Sequence, residues 1–233
     1  MLWPMAIDPG LKSFQRGQQA RKFGRLASAE SCLRQSAALR TEHFGRIHPL
    51  VAQSLNHLAN VLMERGRHVE AEPLYRESLA LRLKALGSGH KDVAASLSNL
   101  ANLLQVTGRL TDAEVLYRRS LRLRRNNYGA RHEYVAMCLA NLAILQDKMG
   151  RRVAVERNFR RALVMLENVV GTRHELTGYT RANLADFLWR NGKTADAGQL
   201  AAQALTDLRR KLPGGHRYVK WARSVCKNIR SNK

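Results

Sequence analysis

Residues 48–67, HPLVAQSLNHLANVLMERGR, followed by residues 68–87, HVEAEPLYRESLALRLKALG, decide the fold. In the first segment Val51, Leu55, Leu58 and Leu62 recur at spacings of three and four, so they share one face of a helix. Gly66 stops that helix, because a helix end favours a residue that reaches the left-handed region without a side-chain clash. In the second segment Ala71, Leu74, Tyr75, Ser78 and Leu79 form another small or apolar face, closed by Gly87. Pro73 lies near the start of this second helix, where at most a mild bend is expected. The unit is therefore a helical hairpin, and Asp92, in the loop GSGHKD after it, is expected to cap the next helix.

The hairpin recurs along the chain. His48, His90, His132, His174 and His216 are each 42 residues apart, as are Gly24, Gly66, Gly108, Gly150 and Gly192. Leu58, Leu100, Leu142 and Leu184, with Ala59, Ala101, Ala143 and Ala185 beside them, make columns of core positions at the same period. One such hairpin cannot bury its apolar face alone, whereas stacked hairpins build a continuous core. The expected architecture is all-α, a right-handed superhelical solenoid of antiparallel hairpins. Its units fall at about 48–89, 90–131, 132–173 and 174–215, with a partial unit at 20–47. Residues 1–19 are expected to form an N-terminal segment with a degraded first helix. Residues 216–233 begin in register but stop after one helix, whose apolar side is Val219, Ala222, Val225, Cys226 and Ile229, so they are expected to cap the last hairpin.

The pattern Leu55, Leu58, Ala59, Leu62, Gly66, Ala71, Tyr75, Ser78 resembles the tetratricopeptide repeat, with Ala71, Tyr75 and Ser78 matching its small, aromatic, small signature. The stretch LGSGHKDVAASLSNLANLLQVTGRLTDAEVLYRRSL, residues 86–121, is similar to the 42-residue repeats of kinesin light chains and their bacterial and fungal relatives. The resemblance covers roughly residues 20–230 and weakens late, where Arg181 replaces a core leucine and Ala201 an aromatic. Motor association does not follow from it, because the heptad-rich coiled coil of light chains is absent. The resemblance implies a binding groove lined by the first helix of each hairpin, with asparagines contacting the backbone or terminal carboxylate of a peptide.

Forty basic against eighteen acidic residues give a formal charge of +22. Such a field favours acidic peptides, nucleic acid or anionic surfaces without choosing among them. Three distant cysteines, Cys32, Cys138 and Cys226, argue against a disulfide framework or a zinc site and fit a reducing, cytoplasmic compartment. No signal-peptide pattern and no run of about 18 apolar residues is present. No cofactor, metal or small-molecule substrate is expected. The histidines sit roughly 20 Å apart in stacked hairpins and cannot converge on a metal, and Glu30, Glu72, Glu114 and Glu156 stand one per unit, where an acid–base pair needs two together. With no phosphate-binding glycine loop and no nucleophile elbow, no enzyme is expected.

Two sets of polar residues are candidates for binding. In the first helices Asn60, Asn99, Asn102, Asn141 and Asn183 punctuate apolar segments, although asparagine is a poor helix former. A carboxamide can donate to and accept from the backbone of an extended ligand; the other reading is that these residues brace neighbouring hairpins. Lys148 and Arg190 add attraction for acidic side chains, which Glu64 opposes at the equivalent place. In the second helices Arg76, Arg118 and Arg160 (with Arg34), and Arg82 and Arg124 (with Arg40), repeat at the same period as basic stripes on an outer or edge surface. Those stripes are either a solvated face or an anion-binding one. The partner favoured on this reading is an acidic protein or peptide segment, with nucleic acid or an anionic surface as the alternative.

Overall fold

The computed structural model describes residues 8–231; residues 1–7 of the expected N-terminal segment lie outside the described residues. The described residues form eleven helices and no strand: α1 (Leu11–Lys22), α2 (Leu26–Phe44), α3 (Pro49–Glu64), α4 (His68–Leu86), α5 (Lys91–Val106), α6 (Leu110–Tyr128), α7 (Glu133–Lys148), α8 (Arg152–Val169), α9 (Glu175–Arg190), α10 (Thr194–Lys211) and α11 (Arg217–Ser231). The chain divides into two compact units, Met1–Leu123 and Arg124–Lys233.

Both ends of each hairpin are built from the same two devices. Among the described residues every one with positive φ is a glycine, and Gly24, Gly45, Gly66, Gly87, Gly108, Gly129, Gly150, Gly171 and Gly192 carry it at φ between 73° and 93°. Their spacing is 21 residues, half the sequence period, so one left-handed glycine ends each helix whether the chain turns within a hairpin or between two. At the next step of this series stands Pro213, and α10 ends instead on an extended Leu212, with φ −124° and ψ 143°. The second device is the histidine column. His48, His90, His132, His174 and His216 each accept on Nδ1 the backbone N–H two residues on, at 3.1 to 3.3 Å. They satisfy an N–H that the helix start leaves without a partner. The cap of α5 is thus His90, and Asp92, expected in that role, is the residue whose N–H it holds.

In the first unit α1 packs on α2, α3 on α4, and successive first helices α1, α3 and α5 also touch one another. The first described helix, α1, is well formed from Leu11 but has 12 residues where α3 and α5 have 16. Small residues set the closeness of each hairpin. Ala52 and Ala94 are fully buried, and their carbonyls accept hydrogen bonds from Ser78 Oγ and Ser120 Oγ, each at 2.7 Å. A larger side chain at either place would separate the helices and break that bond. Tyr75 and Tyr117 fill the next layer at 1% and 0% exposure; burying such a ring stabilises by about 1.5–3 kcal/mol.

The second unit repeats the scheme with α7 on α8, α9 on α10, and α11 against both α9 and α10. Here Gly178 takes the place of Ala52 and Ala94, and a Cβ on it would lie 2.8 Å from Leu208 Cγ. Val219 and Ala222 of α11 join Ala182, Ala204 and Leu208 in one buried cluster, with Trp221 and Tyr218 packed at its edge. Arg181, at a position where Leu55 and Leu97 are apolar, is only 1% exposed. Its guanidinium donates to Asp207 Oδ2 at 2.8 Å and to Glu167 Oε1 at 2.8 Å, so a polar clamp replaces an apolar contact.

Candidate binding surface on the first helices

The solvent-facing strip of each first helix follows from its core face. In α3 the buried residues are Val51, Ala52, Ser54, Asn56, Leu58, Ala59, Val61 and Leu62. Of the residues left over, Gln53, His57, Asn60 and Glu64 fall at spacings of four, three and four along the opposite side. The same steps give Ala95, Asn99, Asn102 and Val106 in α5, Met137, Asn141, Ile144 and Lys148 in α7, and Tyr179, Asn183, Asp186 and Arg190 in α9. Because α3 touches α5 and α7 touches α9, these strips lie side by side within each unit.

The five asparagines take different roles. Asn60 Oδ1 accepts from Tyr75 O–H at 2.6 Å, and Asn102 Oδ1 accepts likewise from Tyr117 O–H. Both tie a first helix to its own second helix, and burial pushes the Tyr75 hydroxyl pKa up, which keeps it a donor. Asn99 Nδ2 donates to Asn56 Oδ1 at 3.0 Å, linking α5 to α3. Asn183 Nδ2 donates back to the Tyr179 carbonyl of its own helix at 2.8 Å. Asn141 is half-buried and makes no side-chain hydrogen bond among the described residues. Bracing and ligand-facing capacity therefore coexist: Asn60 and Asn102 spend their oxygens, Asn99 its amide, and Asn141 neither.

The cations beside them are also unequal. Lys148 is exposed and has no partner among the described residues. Arg190 is held by Asp147 at 2.6 Å and Asp186 at 2.9 Å, so its expected pull on acidic side chains is largely answered from within the strip. Asp147 on α7 and Arg190 on α9 are 43 residues apart, as are Arg21 and Glu64, which pair at 2.7 Å. This cross-helix pairing was open to reading from the sequence, since one period plus one residue places the two side chains on facing edges.

His57 stands where Asn99, Asn141 and Asn183 stand in later units. Its ring meets Phe14 edge-on at 4.9 Å, and its Nδ1 is buried without a hydrogen-bond partner. Burial, aided by Arg21, Arg82 and Arg40, pushes its pKa down to about 4.

The second-helix arginines do not form two open stripes. Arg76, Arg118 and Arg160 are about half exposed, but each pairs one turn back with Glu72, Glu114 or Glu156 at 2.7 to 2.8 Å. Glu72 also binds Arg109, and Glu156 binds Lys193, from the next unit of the repeat, so the acidic column ties hairpins together. The hydrogen bond from Arg76 holds the Glu72 carboxyl below its usual range, and that from Lys193 does the same for Glu156. The second stripe is corrected more strongly. Arg82 is 6% exposed and donates to the Asp92 carbonyl and Ser96 Oγ, so it locks the start of α5 and does not face solvent. Arg40 is equally buried and pairs with Asp8 at 2.7 Å. Arg124 donates to the Tyr134 carbonyl and lies over that ring at 5.3 Å. A guanidinium in this column replaces leucine, as Leu166 and Leu208 show, and each donates from Nη1 to the next helix start, while Arg82 Nε is buried without a partner.

Hairpins closed by left-handed glycines, a buried tyrosine layer and polar strips on adjacent first helices define a helical-repeat protein. Family models described as tetratricopeptide repeat match residues 12–84, 50–105, 92–168 and 177–218, and the chain belongs to the tetratricopeptide-repeat family. Among solved structures it is similar to a Podosopora anserina putative kinesin light chain with nearly identical TPR-like repeats. That likeness has a TM-score of 0.68 and 18% identity, over 90% of this chain and 100% of that one. BtubC (BKLC) from P. vanneervenii aligns with a TM-score of 0.63 and 20% identity over 91% of each chain. The apo form of RapI aligns with a TM-score of 0.66 and 10% identity, over 98% of this chain and 85% of that one. No curated protein matches the sequence. The fold is thus that of kinesin-light-chain-like tetratricopeptide repeats, and it supports protein or peptide partners. No helix among the described residues is long and apolar enough to cross a membrane.

Proposed function

We propose that this protein is a non-catalytic adaptor that holds an extended, acidic protein segment along the first helices of its hairpins, in the cytoplasm. The observation that carries the reading is the half-buried asparagine that recurs at one position of the first helices: Asn99 on α5 in the first unit, and Asn141 and Asn183 on the adjacent α7 and α9 in the second. Carboxamides on such a surface pair with an extended backbone, which offers both N–H and C=O at each residue. The unpaired Lys148 beside Asn141 selects for acidic side chains, and the formal charge of +22 speeds encounter with them. In favour of the non-catalytic reading, the polar groups of the strips are spread along helices and do not converge on one point.

Affinity-capture mass spectrometry from native lysate, with and without nuclease, tests this against an Asn99→Ala/Asn141→Ala/Asn183→Ala variant. Defined proteins captured by the wild type, surviving nuclease and lost in the variant, are the expected result. Capture that ignores the three substitutions but collapses with nuclease or modest salt removes the first helices from the account.

A further inference from the structure

In the preceding hairpins part of the arginine excess is answered by a column of glutamates. Glu30 engages Arg34, Arg65 and Arg67, Glu72 engages Arg76 and Arg109, and Glu156 engages Arg160 and Lys193. This pattern stops at the end of α10. From Leu208 to Lys233 the sequence has nine Lys and Arg and no Asp or Glu.

Four of these cations meet around one recess. Arg209 of α10 and Arg223, Lys227 and Arg230 of α11 line an open cavity of about 500 Å³ together with Leu205, Cys226 and Ser231. All four are exposed, and none has an ion-pair or hydrogen-bond partner for its side-chain charge among the described residues. The arrangement is rigidly based, because α11 spends its opposite face, Val219, Ala222, Val225 and Ile229, on the core. Along α11 the cations Lys220, Arg223, Lys227 and Arg230 fall at steps of three, four and three, one stripe about 15 Å long. Like charges held this close repel one another, and an anion relieves that repulsion.

We infer that the α10–α11 end is a docking surface for the phosphate backbone of double-stranded nucleic acid, bound without regard to sequence. A row of charges about 15 Å long matches successive backbone phosphates, and arginine forks suit their oxygens. Base reading is not built in: Tyr218 stacks on Tyr179 at 4.3 Å, and Trp221 is packed into the core edge, so neither ring is free for a base. A membrane surface fits less well, because no large apolar residue after Val169 is exposed among the described residues to enter the acyl layer. An acidic peptide fits less well too, since the recess offers only Leu205 and Cys226 as apolar anchors.

Fluorescence anisotropy with 20-base-pair duplexes of unrelated sequence, DNA and RNA, tests the inference on the full chain. Four phosphate contacts give a salt slope of about −3.6, a loss of about 150-fold in affinity between 50 and 200 mM salt. An Arg209→Ala/Arg223→Ala/Lys227→Ala/Arg230→Ala variant is expected to lose more than tenfold in affinity and most of that slope, while Arg76→Ala/Arg118→Ala/Arg160→Ala keeps both. Amine-modification footprinting on the unaltered protein guards against a variant that fails to fold: the duplex is expected to protect Lys220 and Lys227 and leave Lys148 reactive. Equal binding by the fourfold variant, no protection at Lys227, or preference for a Glu-rich peptide or phosphatidylserine vesicles over duplex at equal charge would overturn it.

Discussion

The buried clamp on Arg181 allows the reasoning behind the fold to be tested quantitatively. Arg181 is 1% exposed and sits between Asp207, at 9% side-chain exposure, and the outer Glu167, at 30%. Three periods earlier, at the positions of Arg181 and Asp207, the same hairpin geometry packs Leu55 against the cluster that contains Leu81. Removing one partner of a buried ion pair costs about 3–5 kcal/mol, because a charge is left uncompensated. Asp207→Leu leaves Arg181 with Glu167, so its cost should fall near about 3 kcal/mol, and Arg181→Leu should cost a similar amount by stranding Asp207. Replacing both restores the Leu–Leu pair of the earlier unit and frees Glu167 to solvent; that double variant should lie within about 1 kcal/mol of the wild type or be more stable by about 1–4 kcal/mol. The single costs would then fail to add by several kcal/mol, as expected for side chains in contact. Urea unfolding followed by far-UV circular dichroism and by tryptophan fluorescence, with Trp189 and Trp221 both in the second unit, measures the change in midpoint at constant slope. If the double variant loses the sum of the two single losses, the two positions are not equivalent to the leucine pair and the repeat-based reasoning fails.

Two further expectations follow from the first unit. His57, with its pKa lowered from 6.5 to about 4, is neutral in the fold, and the unfolded chain binds the proton first on acidification. Stability should therefore fall as pH drops from about 6.5 toward 4, by about 3 kcal/mol in all. His57→Asn, the residue found one unit later, should flatten that slope in urea titrations at pH 4, 5, 6 and 7; an unchanged slope would clear His57 of the effect. His90→Ala removes a helix cap and should cost about 1 kcal/mol, partly restored by His90→Asp, because a carboxylate accepts the same N–H. Thermal unfolding compares the three proteins, and equal midpoints for all would show that the cap is idle.

The hairpins and their stacking were legible because a fixed 42-residue step aligns core columns that no local propensity could counterfeit. What the columns did not disclose singly is how they pair. Arg181 read alone is a damaged core leucine; read with Asp207, which replaces Leu81, it is a substitution of one pair by another. Arg82 read alone is a surface charge, yet its column continues as Leu166 and Leu208, both buried, and that apolar company was the available signal. The asparagines show the same limit. Asn60 and Asn102 precede Tyr75 and Tyr117 by a constant 15 residues, which marks a brace, whereas Asn141 precedes no such hydroxyl. Carboxamides commit to backbone, side chain or ligand by distances of a few tenths of an ångström, and residue identity does not encode those distances.

Site-specific photo-crosslinking tests the central claim most directly. A benzophenone amino acid placed at Asn141, on the first-helix strip, is compared with one placed at Val153, which is 96% exposed at the start of α8. The account predicts covalent adducts with a protein partner from position 141 that are absent from position 153. Adducts from position 153 with none from position 141 would contradict it and move the binding surface to the second helices.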